Sequence, residues 1–378
     1  MSKFTCEDAD NWQVFAVAHP GWLANKMITV EVPQRGTFRS RILGLQKETL
    51  IITVPVTEGR SAWLPAGTAV RVMLEDDASG KREGSAWFAG QIRERRLKPI
   101  PRLVVALQQD IPLTHALTER PYKIIAVTSG KGGTGKTFFA CNLALALHQQ
   151  NLKVGLLDGD LGTANLALVL GLRPSFDLGS VLDGGKELSD IGVQYNRGIV
   201  LFPGIAAGGR NVNLSPWQYG RLVTGLGELE QRFDKIIIDT GAGLTPATTN
   251  FLLAADFIVL VTNDTPPAIL DAYGLLKSLT VQFWIPEVGL VINRTKSEAA
   301  ARDTAQRFIQ ASRRFLNVKV SYLGHIYEDE AEEKSLQAGK PLLAASPRAR
   351  AAGDLQKITE RLCDRLHKAA AVHRIRRR

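Results

Sequence analysis

Two patterns of hydrophobic and polar positions divide the chain near residue 122. In the first part, short alternating or β-branched runs recur between turn-forming stretches, and no helical period is present. Strands at such close spacing predict a small antiparallel barrel or sandwich. We expect these strands at MITVEV, FRSRILGL, TLIITVPV, AVRVML, SAWFAGQI and RLVVALQ, with a basic turn over Arg93–Pro101 before the last of them.

From Lys123 onward, apolar strand-like runs alternate with segments of helical period. Strands that are apolar on both faces are typical of parallel sheets covered by helices on each side. This part therefore predicts an α/β fold with a doubly wound, mostly parallel sheet, whose ligands lie beyond the carboxyl ends of the strands. The expected helices are Thr137–Gln150, Pro216–Arg232, Pro246–Ala254, Ala268–Thr280 and Glu298–Phe315.

The predicted organisation has four parts: a small β-barrel domain over residues 1–110, a linker over 111–122, an α/β domain over 123–345, and a basic amphipathic helix with a tail over 346–378.

The stretch IIAVTSGKGGTGKT, Ile124 to Thr137, combines an apolar strand, a glycine loop and a helix start. Glycines let backbone N–H groups turn inward, and the helix N-terminus adds partial positive charge, so this order suits phosphate binding. It also matches G-x-x-x-x-G-K-[ST], which places Lys136 at the β/γ-phosphates and Thr137 at Mg²⁺. The predicted nucleotide-binding residues are Gly130, Lys131, Gly132, Gly133, Thr134, Gly135, Lys136 and Thr137.

Carboxylates follow two further apolar strands, Asp158 and Asp160 in LLDGD and Asp239 in IIID. In P-loop enzymes an Asp after an apolar strand holds Mg²⁺ or its waters. We therefore assign Asp239 to the Mg²⁺ site. Asp158 and Asp160 can serve different roles, one near the metal shell, to which we assign Asp158, and the other near the attacking water. The alternative, that such residues are helix N-caps, is weakened by the convergence of all three on one loop.

The composition of the chain says more about its location and its binding partners than about its fold. No apolar run approaches the ~18 residues that span a bilayer, and MSKFTCEDAD has no apolar signal region, so we expect a cytoplasmic protein. Cys6, Cys141 and Cys363 lie far apart, which argues against a disulfide framework or a metal cluster.

The net charge is +10, and residues 346–378 contain ten Lys or Arg but three Asp or Glu. This excess predicts an anionic partner, lipid or nucleic acid.

Lys131, at the start of KGGTGKT, narrows the class of P-loop. The loop resembles the deviant Walker A loop of the ParA/MinD ATPases, in which this lysine reaches the nucleotide of a partner subunit. The resemblance implies ATP with Mg²⁺ as ligands and a homodimer that sandwiches ATP. It also implies slow, dimerisation-dependent hydrolysis with Lys131, Lys136 and Asp160 as catalytic residues. The alternative is a solvated loop lysine with no role.

Within this superfamily, LLDGDLGTANLALVLGL, IIIDTGAGLTPATTNFLLAAD and DAYGLLKSL resemble FlhG, the ATPases that set flagellar number and position. The likeness runs from Ile124 to about Tyr327. It implies that Asp160 positions the attacking water, Asn293 reads the adenine and Arg294 flanks the base. The chain departs from the pattern in three places: it has no D-Q-A-x-x-L-R segment, its GHIYED replaces G-x-I-P-x-D, and Thr134 replaces a common valine.

Residues from about Met27 to Leu107 resemble the N-terminal module of YcgR-like flagellar brake proteins in the pattern of FRSRILGLQKETLIITVPV, LPAGTAVRVML and AWFAGQIRERRLKPIPRLVVAL. The resemblance implies that this domain binds a flagellar or motility partner. In that family a PilZ domain follows and binds cyclic di-GMP. Here an ATPase region takes its place and the D-x-S-x-x-G turn is absent, so direct cyclic di-GMP binding is not expected.

The C-terminal segment has one apolar stripe, formed by Leu355, Ile358, Leu362, Leu366 and Ala369. Two interpretations remain open. The stripe docks on the ATPase domain, which we favour, or it contacts an anionic membrane at the inner face of the plasma membrane, as the terminal helices of MinD and FlhG do.

The leading hypothesis is an ATP-dependent dimerisation switch that controls the placement or number of flagella or of a related motility apparatus. The alternative is a ParA-type DNA-segregation ATPase whose basic tail binds DNA; DNA is the less favoured partner. A scaffold without turnover is disfavoured because Lys131, Lys136, Asp160 and Asp239 are all present.

Overall fold

A computed structural model of the 378-residue chain describes residues 122–205, 214–282 and 286–375. In the first 121 residues it describes 27–33, 36–46, 49–53, 56–57, 60–61, 64, 66–74, 87–96 and 102–107. The chain divides near residue 118 into two compact units. Nearly all of the predicted linker, 111–122, lies outside the described residues, so the predicted domain boundaries stay predictions.

The first unit is an antiparallel barrel. Its strands are β1 Met27–Val32, β2 Gly36–Gln46, β3 Thr49–Thr53, β4 Val56–Thr57, β5 Arg60–Ser61, β6 Ala69–Leu74, β7 Trp87–Arg96 and β8 Arg102–Leu107. They pair in the order β1-β6-β7-β8-β3-β2, and β2 pairs again with β1, so the ring closes. The hairpin β4–β5 is attached to β2. Alternate residues such as Ile28, Val72 and Val105 are fully buried, which confirms the predicted small β-barrel.

One local prediction in this unit is wrong. The expected basic turn begins too early, because Arg93–Arg96 continue strand β7. Glu94–Arg96 pair with Arg102–Val104 of β8, after a bulge between Ile92 and Glu94. The charged residues did not interrupt the strand, because their backbone pairs with β8.

The second unit is built on a mostly parallel sheet. Its strands are β9 Ile124–Thr128, β10 Val154–Gly159, β11 Val193–Asn196, β12 Ile199–Phe202, β13 Lys235–Thr240, β14 Phe257–Thr262, β15 Glu287–Thr295 and β16 Val320–Tyr327. They lie in the order β11-β12-β10-β13-β9-β14-β15-β16, and all neighbours are parallel except β11 and β12. The predicted α/β fold is confirmed. The antiparallel strand β11 was not predicted.

The helices of this unit are α1 Lys136–Gln149, α2 Leu166–Val169, α3 Leu178–Leu182, α4 Pro216–Arg232, α5 Pro246–Ala254, α6 Pro266–Gln282, α7 Glu298–Leu316, α8 Glu330–Gln337, α9 Leu342–Ala345 and α10 Arg350–Ile375. Helices α4 and α5 have the predicted bounds. Each begins with a side-chain cap, from Ser215 and from Thr245, followed by a proline. Such caps are local signals, which explains the agreement.

The apolar stripe of α10 lies inside this unit. Leu355, Ile358, Leu362 and Leu366 belong to the same buried cluster as residues of β9, β14 and α1. Arg361 Nη1 donates to Leu323 O at 3.1 Å, and Arg365 forms an ion pair with Glu287. The docking interpretation is therefore confirmed for Leu355–Leu366. The side chains of Ala369 and of the basic tail lie outside the described residues. Within the described part of the chain, no helix is long and apolar enough to cross a membrane.

Candidate functional site

The phosphate loop connects β9 to α1, and two glycines explain its shape. Gly135 precedes the helix with φ 91°, and a Cβ there would lie 2.1 Å from Asn293 Nδ2. A Cβ on Gly130 would lie 2.2 Å from the backbone of Asp271 and Ala272 in α6. The loop thus needs glycine for its own conformation and for the close approach of α6, the helix of the DAYGLLKSL motif. The first turn of α1 contains no acidic residue, so its partial positive charge is available to an anion.

A cavity of about 1000 Å³ lies over this loop. That volume is at the upper end of the range for small-molecule sites, about 300–1,000 Å³. The lining residues come from segments that follow the carboxyl ends of the parallel strands, as predicted for this fold. They include Gly132, Gly133, Gly135, Lys136, Thr137, Asp160, Thr163, Leu168, Leu244, Thr245, Thr248, Arg294 and Glu332.

Lys136 and Asp160 face each other at the cavity, with Nζ 4.0 Å from Oδ2. Asp160 is held by its own loop. Its Oδ1 accepts from the N–H groups of Gly162 (3.1 Å) and Thr163 (3.0 Å), and its Oδ2 accepts from Thr163 Oγ1. These hydrogen bonds fix the direction of the Asp160 carboxylate before a ligand binds.

Asp158 and Asp239 are register partners on the neighbouring strands β10 and β13, and both are buried. Burial, and then the charge of Asp239, raises the pKa of Asp158 to about 7. Its two oxygens accept from the N–H groups of Asp160 (3.2 Å) and Leu166 (3.0 Å). Asp158 therefore organises the segment between β10 and α2. Its predicted role as a Mg²⁺ ligand stays a prediction.

Asp239 and Thr137 fit a hard cation. Burial raises the pKa of Asp239 to about 6, although Lys136 and a hydrogen bond from Thr137 oppose the shift. Asp239 Oδ1 is buried and has no hydrogen-bond partner among the described residues. In those residues, no three His, Cys, Asp or Glu side chains form a metal cage. Mg²⁺ commonly takes one or two protein oxygens and completes its shell with phosphate and water, which is what this pair can offer.

Asn293 and Arg294, at the end of β15, contact the back of the phosphate loop. Asn293 Nδ2 donates to Thr134 O at 2.9 Å, while its buried Oδ1 has no hydrogen-bond partner in the described part of the chain. Arg294 Nη1 donates to Gly133 O at 3.2 Å, and the same guanidinium pairs with Glu332. The predicted contacts of both residues with the adenine stay predictions. Glu332 was not predicted, because EDEAEEK has the pattern of an exposed acidic helix.

Lys131 differs from Lys136, the other lysine of the loop, in its side-chain partners. Its carbonyl accepts from Ser129 Oγ at 2.7 Å, but within the described residues its half-buried side chain has no hydrogen bond or ion pair. Thr134 is buried, and its hydroxyl lacks a partner in the same set of residues.

Comparisons with known proteins agree with this geometry. Residues 125–342 match the model of the CobQ/CobB/MinD/ParA nucleotide-binding domain, and residues 24–107 match the model named flagellar protein YcgR. The chain is 34% identical over 242 residues to the antiactivator FleN of Pseudomonas aeruginosa, covering 64% of this chain and 86% of FleN. It is 30% identical over 258 residues to the flagellum site-determining protein YlxH of Helicobacter pylori, covering 66% and 84%.

Two solved structures share the fold of the second unit. MinD of Pyrococcus horikoshii, solved with Mg-ADP, is 27% identical with a TM-score of 0.53 and covers 64% of this chain and 95% of its own. MinD from the Aquifex aeolicus MinC:MinD complex is 25% identical with a TM-score of 0.52 and covers 64% and 96%. Because the family model spans more than half of the sequence, the chain belongs to the MinD/ParA family of nucleotide-binding ATPases, with FlhG-like relatives and a YcgR-like N-terminal domain.

Proposed function

We propose that this chain is an ATP-dependent dimerisation switch that controls the number or placement of flagella or of a related motility apparatus, and that hydrolysis of ATP resets the dimer. The observation that carries the proposal is Lys131, a loop lysine with no side-chain partner in the described part of its own chain. A cation here contributes to phosphoryl transfer only where it reaches a nucleotide, as an arginine finger does. In a homodimer each Lys131 reaches the nucleotide of the other copy.

The remaining residues have complementary tasks. The loop N–H groups and Lys136 bind the β- and γ-phosphates, and Thr137 and Asp239 hold Mg²⁺ or its waters. When bound, Mg²⁺ neutralises charge on the transferred phosphoryl group. Asp160, fixed by Gly162 and Thr163, orients the attacking water. Asn293 and Arg294, which contact the loop carbonyls of Thr134 and Gly133, are the residues to which we assign contacts with the base.

The motility assignment rests on the pairing of two domains in one chain. The relatives FleN and YlxH carry flagellar names, and the N-terminal region matches a flagellar protein model. We propose that this barrel domain binds the flagellar or motility partner, in the cytoplasm. The DNA-segregation alternative is not better supported by these relatives. A contact with an anionic membrane would need groups other than the α10 stripe, which is buried.

The test is the molecular mass of the protein in solution without nucleotide, with ATP, and with ATP as Asp160→Ala. We expect a monomer without nucleotide, a transient dimer with ATP, and a stable dimer for Asp160→Ala, because that variant binds ATP but hydrolyses it slowly. Lys131→Ala, which leaves the phosphate loop glycines in place, is expected to stay monomeric. A monomer in all of these samples would refute the switch.

A cellular readout addresses the process. In a strain that carries Lys131→Ala in place of the wild-type sequence, we expect an altered number or position of flagella on each cell. Wild-type flagellation in that strain, with the variant protein present at normal levels, would contradict the motility role while leaving the ATPase switch standing.

A further inference from the structure

Glu332 is a carboxylate that the hydrolysis chemistry leaves without a role. It lies on α8, is 5% exposed and lines the nucleotide cavity. A buried carboxylate is costly unless it is paired. The first residues of α8 are held in place by Asp329, which caps the helix by accepting from Ala331 N at 2.9 Å. The capped start of α8 therefore fixes the backbone position of Glu332.

Glu332 binds Arg294 through both of its carboxylate oxygens. Arg294 Nη2 donates to Oε1 at 2.6 Å and Nε donates to Oε2 at 3.2 Å. This two-point geometry orients the planar guanidinium. The third donor, Nη1, is left pointing at the phosphate loop, where it donates to Gly133 O at 3.2 Å. The interaction with Glu332 also raises the pKa of Arg294.

The backbone of β15 is bent to make this contact. Arg294 has φ 55°, in the left-handed region that a non-glycine residue rarely adopts, and the pairing of β15 with β16 is irregular between Ile292 and Thr295. In a regular strand successive side chains point to opposite faces. The bend instead lets Asn293 and Arg294 hold two successive loop carbonyls, those of Thr134 and Gly133.

Holding these carbonyls affects the N–H groups that a phosphate needs. In a trans peptide the C=O and the following N–H point in opposite directions. When the carbonyls of Gly133 and Thr134 are drawn towards β15, the N–H groups of Thr134 and Gly135 point away from β15. Inward-facing N–H groups of this kind form the anion-binding part of a phosphate loop.

We propose that Glu332 is a positioning residue of the nucleotide site, which acts by fixing the Arg294 guanidinium against Gly133 O and so keeps the phosphate loop in its binding conformation before nucleotide arrives. The proposal rests on the nucleotide-binding role of the loop, and it does not depend on dimerisation.

Two possible roles of Glu332, as a negative charge near the nucleotide or as a residue that positions Arg294, predict opposite effects of its replacement on nucleotide binding. If Glu332 acted only as a nearby negative charge, then its replacement by glutamine would strengthen the binding of an anionic nucleotide, and aspartate would behave as the wild type. If it acts by position, both Glu332→Gln and Glu332→Asp weaken binding. Glutamine loses the charge-assisted bonds, and aspartate is one methylene too short to keep both. Glu333→Gln is the matched control, because Glu333 is an exposed neighbour on the same helix and its bond is to Gln337.

The experiment titrates a fluorescent ADP with Mg²⁺ against the full-length wild type, the two Glu332 variants and Glu333→Gln. ADP is chosen because its binding does not require the dimer, so a protein that stays monomeric in ATP still reports on Glu332. We expect about tenfold weaker ADP binding for both Glu332 variants, the size of one lost charge-assisted hydrogen bond. The turnover rate at saturating ATP is expected to stay close to that of the wild type, so that KM changes and kcat does not.

Amide hydrogen exchange without nucleotide gives a second measurement. We expect faster amide exchange in residues 130–137 of both Glu332 variants than in the same residues of Glu333→Gln. Exchange is read for this loop by itself, so the comparison holds also for a variant with a lower melting temperature. An ADP affinity for Glu332→Gln equal to or tighter than that of Glu333→Gln would overturn the proposal. Unchanged exchange in the phosphate loop of Glu332→Asp would overturn it as well.

Discussion

Leu362→Ala tests whether the C-terminal helix is part of the ATPase unit in solution. The Leu362 side chain is fully buried, in the cluster that contains Phe139 of α1 and Val259 of β14. Its truncation removes three carbon atoms and leaves a cavity that rigid strands cannot close. For a fully buried leucine this costs about 3–5 kcal/mol. For a unit of this size, a change of 1 kcal/mol lowers Tm by about 2–4 °C, so we expect a drop of roughly 10 °C.

The assay is urea and thermal unfolding followed by circular dichroism. Lys357→Ala is the matched control, since Lys357 is exposed on the same helix and a surface change there is worth within about 0.5 kcal/mol. A docked stripe also predicts that binding to anionic vesicles is the same for Leu362→Ala and for the wild type.

A different result would refute the reasoning. If Leu362→Ala lost less than about 1 kcal/mol, and if its binding to anionic vesicles fell at the same time, then the stripe would be exposed in solution and would be a membrane contact. A small loss with unchanged vesicle binding would show that the helix leaves the core without meeting a membrane.

Two further predictions concern buried polar groups of the site. Thr134→Val keeps the side-chain shape and removes a buried hydroxyl without a partner in the described residues, so we expect about 1 kcal/mol more stability without nucleotide; a loss of stability in the same urea unfolding would contradict this. Burial raises the pKa of Asp239 in the folded state to about 6, whereas an Asp in the unfolded chain has a pKa of about 3.9. Between these two pH values the folded state binds more protons than the unfolded state. The free energy of unfolding therefore falls as the pH rises through this range. Asp239→Asn should therefore gain stability relative to the wild type from pH 4 to about pH 7, and a difference that does not change with pH would refute it.

The central parts of the ATPase unit could be predicted because each rests on a local signal. The fully apolar strands, the capped helices α4 and α5, and the glycine loop before α1 are each specified by neighbouring residues. The convergence of Lys136, Asp160 and Asp239 followed from the parallel sheet, because strands that run in one direction end at one edge. The strand pattern of the first unit fits both a barrel and a sandwich, and the β1–β2 pairing that closes the barrel is visible only in the folded structure.

The errors and omissions concern features that have no clear signal in the neighbouring residues. The charge pattern of Arg93–Arg96 predicts a turn, but backbone pairing with the next strand, β8, extends β7 through them. Strand β11 is short and half-exposed, so its pattern carries little hydrophobic signal. Glu332 lies in an acidic run that is typical of a solvated helix, and only the folded structure shows that it is buried and paired with Arg294 of β15.

The sequence by itself determined that this chain contains a phosphate loop with a second lysine on a parallel sheet, because the spacing of glycines, lysines and apolar runs is a local property. Only the tertiary structure decided what surrounds that loop. Burial of the α10 stripe, the bond from Asn293 to Thr134 and the pair of Glu332 with Arg294 each join segments far apart in sequence. Such contacts depend on how the elements pack, since no neighbouring residue specifies them.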